Sequence, residues 1–103
     1  EQSAAEIFAE LAEESLLVGL SDSVYLDRLT YYYSEINVLH PFREGNGRTQ
    51  RAFFSLLAEK VDKRLAWERL DRQANLEAVI AAYQGDDSIL HDLLADLLEP
   101  RPH

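Results

Sequence analysis

Apolar residues recur at helical intervals along almost the whole chain. Ile7, Phe8, Leu11 and then Ser15 or Leu16 fall three or four apart, which predicts an amphipathic helix running to about Leu17. Ser3-Ala4-Ala5-Glu6 marks its start, because serine can accept a backbone N–H while glutamate reaches back to another. Gly19 marks its stop. Ser21 or Asp22 caps a second helix over about 23–38, with Tyr25, Leu26, Leu29, Tyr32, Tyr33 and Ile36 on its apolar side. A third helix, about 48–60, carries Phe53 and Phe54, then Leu57 and Val61. A fourth runs over about 67–83 and ends before Gln84-Gly85. Asp86 or Asp87 caps a fifth, in which Leu90, Leu93, Leu94, Leu97 and Leu98 form one stripe. Pro100 and Pro102 close the chain. No strand alternation, repeat, low-complexity segment or linker interrupts the pattern. The expected fold is all-α, a small bundle of about five helices in one domain spanning residues 1–103.

The break between the second and third helices holds the densest chemistry. It reads His40-Pro41-Phe42-Arg43-Glu44-Gly45-Asn46-Gly47-Arg48-Thr49-Gln50-Arg51. Pro41 ends the preceding helix, since it lacks an N–H and disfavours the α conformation in the residue before it. Gly45, Asn46 and Gly47 all tolerate positive φ, so consecutive N–H groups can point into one concavity. The next helix starts there, and its free N–H groups and dipole attract anions. Arg48 and Arg51 are three apart and share a face of its first turn. A phosphate-bearing ligand suits this arrangement. Glu44 can hold the Mg²⁺ that such ligands bring, and His40 is a candidate base.

Each piece alone has an ordinary explanation: a packed histidine, a plain turn, a solvated arginine pair, a surface carboxylate. Their joint order is not ordinary. The segment resembles the signature of the Fic family, His-Pro-Phe-x-Asp/Glu-Gly-Asn-Gly-Arg-x-x-Arg, at every specified position. The likeness extends upstream over Tyr32-Tyr33-Ser34-Glu35-Ile36-Asn37-Val38-Leu39. Downstream it takes in Phe53-Phe54-Ser55-Leu56-Leu57-Ala58 and Leu65-Ala66-Trp67. It thereby covers nearly the whole chain, with the signature loop between the second and third helices.

The resemblance implies a protein adenylyltransferase, which moves AMP from ATP to a hydroxyl of a target protein and releases pyrophosphate. It assigns His40 as general base and Glu44 as the Mg²⁺ ligand. Gly45, Asn46 and Gly47 become the anion-binding turn, Arg48 and Arg51 the holders of the β- and γ-phosphates, and Phe42 the apolar anchor of the loop. Transfer of another phosphate-containing group is an alternative within the enzyme class. A silent fragment serving in nucleotide binding or oligomerisation is the alternative outside it. A complete domain of this family has further helices and a β-hairpin flap before the region of Ser3, and the flap docks the target. No such hairpin is legible here, so the chain is expected to be the C-terminal, motif-bearing part. The apolar surfaces those helices would cover are then open or covered by another copy, a homo-oligomer. Family members are often held off by a glutamate that pairs with the second motif arginine, here Arg51. Ser55-Leu56-Leu57-Ala58-Glu59 matches the inhibitory pattern only in part and lies within the motif's own helix. Inhibition is therefore expected from residues outside this chain or from an antitoxin-like partner that supplies a glutamate to Arg51.

Charge narrows the partners. A net charge of −9 disfavours nucleic acid and anionic membranes, which need a basic face. Against it, Arg43, Arg48 and Arg51 form a local basic island. No apolar stretch approaches the roughly 20 residues that span a bilayer, and no signal peptide is legible. With no cysteine there is no disulfide framework or thiolate site. The family resemblance implies the bacterial cytoplasm as the setting, as a toxin-like enzyme, with secretion into a host as an effector the alternative. The lack of methionine, position 1 included, points to a processed or excised chain.

The remaining features read as structural. Of Tyr31-Tyr32-Tyr33, one or two pack and one is exposed. Trp67 is a core plug rather than a base-stacking platform. The last helix's leucines are core rather than a dimer seam, and His91 is a rim histidine. Glu10, Glu13, Glu14, Asp27 and Glu99 read as solvated surface.

Overall fold

A computed structural model describes residues 3–39 and 46–101. Five helices are present among them: α1 Ala4–Glu13, α2 Asp22–Leu39, α3 Asn46–Glu59, α4 Arg72–Tyr83 and α5 Ser88–Leu97. The all-α bundle expected from periodicity is the observed one. No helix among the described residues is long and apolar enough to cross a membrane.

The start signals hold in their positions, though Glu6 reaches back to the Ser3 hydroxyl rather than to a backbone N–H. Ser3 Oγ accepts the Glu6 N–H at 3.2 Å and faces the Glu6 carboxylate at 3.2 Å. Ser21, rather than Asp22, caps α2, accepting the Val24 N–H at 3.4 Å. Asp86, rather than Asp87, ties the start of α5, accepting from the Ser88 N–H at 3.1 Å and its hydroxyl at 2.6 Å.

Several features differ from the periodic pattern. The first helix stops at Glu13, and Ser15–Leu17 form a short turn in which all three residues have φ between 55° and 67°. Left-handed backbone costs L-residues about 1–2 kcal/mol each. Complete burial of Leu17, worth about 1.5–3 kcal/mol, offsets part of that cost. The fourth helix does not begin at Trp67. Trp67–Arg69 is a separate 3₁₀ turn, the chain then runs extended, and Asp71 caps α4 by accepting from Gln73 N–H at 3.2 Å. The third correction is a strand pair. β1, Lys63–Leu65, pairs antiparallel with β2, Leu98–Pro100, in the register Lys63↔Pro100, Arg64↔Glu99, Leu65↔Leu98. Three residues are too few to show alternation, so only the pairing reveals it.

The core forms around α2, which packs on α1, α4 and α5. Tyr25, Leu29, Tyr32, Tyr33 and Ile36 of α2 meet Ile7 and Leu11 of α1, Phe54 and Leu57 of α3, and Leu90, Leu94 and Leu97 of α5. The α5 leucines are thus core, as expected. Phe8 is not: it is 48% exposed and meets Phe53 edge-on at 5.4 Å. Of the three tyrosines, Tyr32 and Tyr33 are buried and Tyr31 is half-buried.

The acidic residues are not all plain surface. Arg28 forks onto Glu14, donating from Nε at 2.8 Å and Nη2 at 2.6 Å, and the Tyr32 hydroxyl donates to the same carboxylate. The guanidinium lies 4.5 Å from the centre of the Tyr31 ring, and Tyr31 donates to Glu10 at 3.1 Å. Glu99 accepts from Arg64 and Arg69, and Arg69 also donates to the Asp96 carbonyl at 2.6 Å, closing the end of α5. Asp27, itself exposed, meets His91 Nε2 at 3.1 Å, with His91 on the rim as expected.

The Arg28 fork holds the Glu14 carboxyl below the usual carboxylate range, against the opposing effect of burial, and Tyr32 adds to the lowering. A group with a depressed folded pKa stabilises above its unfolded pKa and loses that contribution as pH falls through the folded value. Glu14→Gln should therefore cost about 0.5–1 kcal/mol at pH 7, with the gap to wild type closing as pH drops below about 4.5. Urea unfolding at pH 7 and pH 3 checks this. An unchanged gap at pH 3 would mean that packing, not charge, is what the substitution disturbs.

Candidate functional site

His40, Phe42, Glu44 and Gly45 lie outside the described residues, with Pro41 and Arg43. The structure describes what flanks them: the end of α2 at Leu39 and the start of α3 at Asn46. Helix α3 opens at the second half of the double-glycine turn, two residues earlier than the pattern suggests. Its first turn therefore includes Asn46, Gly47 and Arg48, whose backbone N–H groups have no partner within the helix. No acidic residue stands in that turn to occupy the positive end of the dipole.

Arg48 is exposed and Arg51 half-buried. One turn beyond Arg51, on the same face, come Phe54 and Ser55. Phe54 is fully buried, its ring 5.2 Å from Tyr33 and 5.3 Å from Phe53. Trp67 stacks on Tyr33 at 6.3 Å and 23° and donates its indole N–H to Ser55 Oγ at 2.8 Å. It is the core plug expected, not a platform for a base. The Ser55–Glu59 stretch is an unbroken part of α3, and its serine is engaged inward by that tryptophan.

Under this layer lie polar groups that sequence reasoning missed. The Tyr33 hydroxyl donates to Asn75 Oδ1 at 2.7 Å, across α2 and α4. Burial pushes the Tyr33 phenol up to about 12, with the charge of Arg51 and the bond to Asn75 pulling the other way. Asn37, one turn after Tyr33, donates from Nδ2 to the Tyr33 carbonyl at 2.7 Å. Its Oδ1 is buried and has no partner among the described residues. A signal was available for both asparagines. Each occupies a position where helical spacing demands an apolar side chain, and buried amides are kept only where bonded.

The described part of the site thus offers the start of a helix and two arginines three residues apart in its first turns, with the buried aromatics Phe54 and Tyr33 one turn further on. Such an arrangement can bind an extended anion. Among the described residues no group of three or more His, Asp or Glu side chains could by itself hold a metal.

Comparison with known proteins fits this geometry. The sequence profile of the Fic/DOC family matches residues 2–58. The protein adenylyltransferase VbhT of Bartonella schoenbuchensis is 40% identical over 94 residues, covering 91% of this chain and 20% of that protein. The probable protein adenylyltransferase Fic of Escherichia coli K12 is 38% identical over 92 residues, covering 89% of this chain and 46% of that protein. Among solved structures, the BepC effector of Bartonella tribocorum with bound AMPPNP superposes with a TM-score of 0.85 at 25% identity. It covers 95% of this chain and 47% of that one. An N-terminal Fic domain from Bartonella quintana with bound ADP gives 0.85 at 26% identity, covering 94% and 46%. The chain spans less than half the length of each of these relatives.

Proposed function

Since the chain belongs to the Fic/DOC family, we propose that it is the motif-bearing part of a protein adenylyltransferase, folded as one domain. The reaction is attack by a hydroxyl oxygen of a target protein on the α-phosphorus of ATP. The bond from that phosphorus to the bridging α–β oxygen breaks, and pyrophosphate leaves. His40 takes the proton of the attacking hydroxyl. The N–H groups of Gly45, Asn46 and Gly47 cradle the inner phosphate, Arg48 and Arg51 hold the outer ones, and Phe42 anchors the loop. Nucleotidyl transfer asks mainly for positioning and charge neutralisation, which these residues supply.

Glu44 would hold Mg²⁺. One carboxylate completed by phosphate oxygens is a usual Mg²⁺ environment, so the lack of an all-protein cage among the described residues is compatible with it. Bound there, the ion would neutralise charge on the phosphates. A partner protein that offers a carboxylate to Arg51 would compete with the outer phosphates and switch the site off. The setting we favour is the bacterial cytoplasm.

The observation that carries this proposal is the opening of α3 at the double-glycine turn, with Arg51 on the face backed by Phe54 and Tyr33. Incubation with labelled ATP, Mg²⁺ and a bacterial lysate tests it. Label transferred to a target or to the chain itself supports the enzyme. Nucleotide binding without transfer favours a binding module, the alternative raised by a chain that spans 46% of its Escherichia coli relative.

Arg51 gives a sharper test. A charge-assisted bond to phosphate is worth about 1.5–3 kcal/mol, so Arg51→Ala should weaken ATP binding about tenfold or more. AMP, without outer phosphates, should lose little. Arg51→Lys should recover only part, because lysine keeps the charge but not the planar fork. Calorimetry with ATP, ADP and AMP decides it. Equal losses for all three would remove Arg51 from the outer-phosphate site.

A further inference from the structure

Helices α4 and α5 follow one another across a short turn at 84–87 and pack together. Between them, and beside Leu70, lies a groove of about 390 Å³. Leu70, Ile89 and Leu93 give it an apolar lining, and Ile89 is 51% exposed. Carboxylates stand on both walls: Asp71 and Glu77 on the side of α4, Asp92 and Asp96 on the side of α5, all exposed. Their charge is left almost uncompensated. Asp71 accepts from the Gln73 N–H and Glu77 from the Gln73 amide, both neutral donors. Asp92 meets His91 Nδ1 at 3.6 Å. Arg69 also lines the groove, but its guanidinium is taken up by Glu99 at 3.1 Å and the Asp96 carbonyl at 2.6 Å.

The spacing of these charges selects among occupants. Asp71 and Glu77 are six residues apart, about 9 Å along the helix axis. A small cation reaches one of them at a time, whereas cations repeated over two helical turns reach both walls. A second copy of this chain, with its net charge of −9 and the same acidic rim, is repelled. We propose that the α4–α5 groove docks a basic amphipathic helix of a partner protein. Its apolar stripe lies on Leu70, Ile89 and Leu93, and its lysines or arginines meet the carboxylates of both walls. Burial of the stripe supplies affinity, and the charges set orientation and the rate of encounter.

The test uses the whole chain and a labelled helical peptide of about 15 residues, leucine along one face and lysine on the other. Fluorescence anisotropy should show binding, and amide NMR shifts should move along the facing sides of α4 and α5. Two matched peptides, one with glutamate for lysine and one with serine for leucine, should bind at least about tenfold more weakly. Neutralising one carboxylate on each wall, Glu77→Gln with Asp96→Asn, should weaken the lysine peptide about threefold to tenfold. The same charge change at two exposed sites elsewhere, Glu13→Gln with Glu59→Gln, should leave it within about twofold. Ile89→Ser, on the exposed floor, should cost about fivefold or more. Equal losses in the two double variants would show attraction to overall charge alone and overturn the proposal. So would equal binding of the serine peptide, shifts that fall on other helices, or no binding of the lysine peptide. A dimer in sedimentation that Ile89→Ser dissolves would give the groove to a second copy and overturn it as well. Should Ile89→Ser not fold, as read by circular dichroism, the two charge variants and the shift map still decide.

Discussion

His40→Ala should lower AMP transfer by about 10²- to 10⁴-fold while nucleotide affinity stays within a few-fold, the range a general base contributes. The split follows from where the charges sit. In the proposed reading phosphate binding depends on α3, whose first turn and arginines are untouched by the change. His40 directly follows the last residue of α2, on the other side of the signature loop. Imidazole suits the task because it changes charge between pH 5 and 8 and so can take a proton at neutral pH. Purified variant and wild type would be compared by intact mass after incubation with ATP, Mg²⁺ and target, with calorimetry for binding and circular dichroism for folding. Near-normal transfer by a folded His40→Ala protein would end the general-base role. Loss of helicity would show instead that the side chain supports the fold.

Phe54→Ala should be the most damaging core change, costing about 3–5 kcal/mol. Phe54 is fully buried and contacts the rings of both Tyr33 and Phe53. Aromatic pairs add about 0.5–1.5 kcal/mol beyond area burial, so the loss includes more than the cavity. A domain of 103 residues commonly has only 5–15 kcal/mol in total, as a rough general range, so the variant should be marginal at 37 °C. Leu56, two residues on and 59% exposed, is the control: Leu56→Ala should stay within about 0.5 kcal/mol. Urea unfolding of the three proteins measures this. A cost below about 1 kcal/mol for Phe54→Ala would mean that α3 is not anchored through this ring.

The two predictions probe opposite sides of one helix. In the proposed reading the arginines at the start of α3 meet the ligand, while Phe54 one turn later packs the helix against Tyr33 of α2. A rigid support within a fraction of an ångström is what phosphate recognition requires of residues that act by position. On that reading the packing of Tyr33, Phe54, Trp67 and Asn75 would serve binding as well as stability.

Local physics in the sequence determined the helices. Period 3.6 placed α1 to α5, Ser3 and Ser21 set two of their starts, and α5 buried Leu90, Leu94 and Leu97 as its stripe requires. The twelve-residue signature determined the family and named the candidate site residues, because its order of turn, acid and arginines is itself chemical. What tertiary structure alone decided involves partners distant in the chain. The Arg28–Glu14 fork spans 14 residues, the Tyr33–Asn75 bond 42, and the clasp of β1 with β2 joins Arg64 to Glu99. Glu14, read as surface, became the anchor of a cation, and the end of α1 gave way to a left-handed turn that carries Leu17 into the core. Periodicity reports which face of an element is apolar. It does not report which residue of another element will stand opposite, and buried polar bonds, strand pairs and strained turns are fixed only by that encounter.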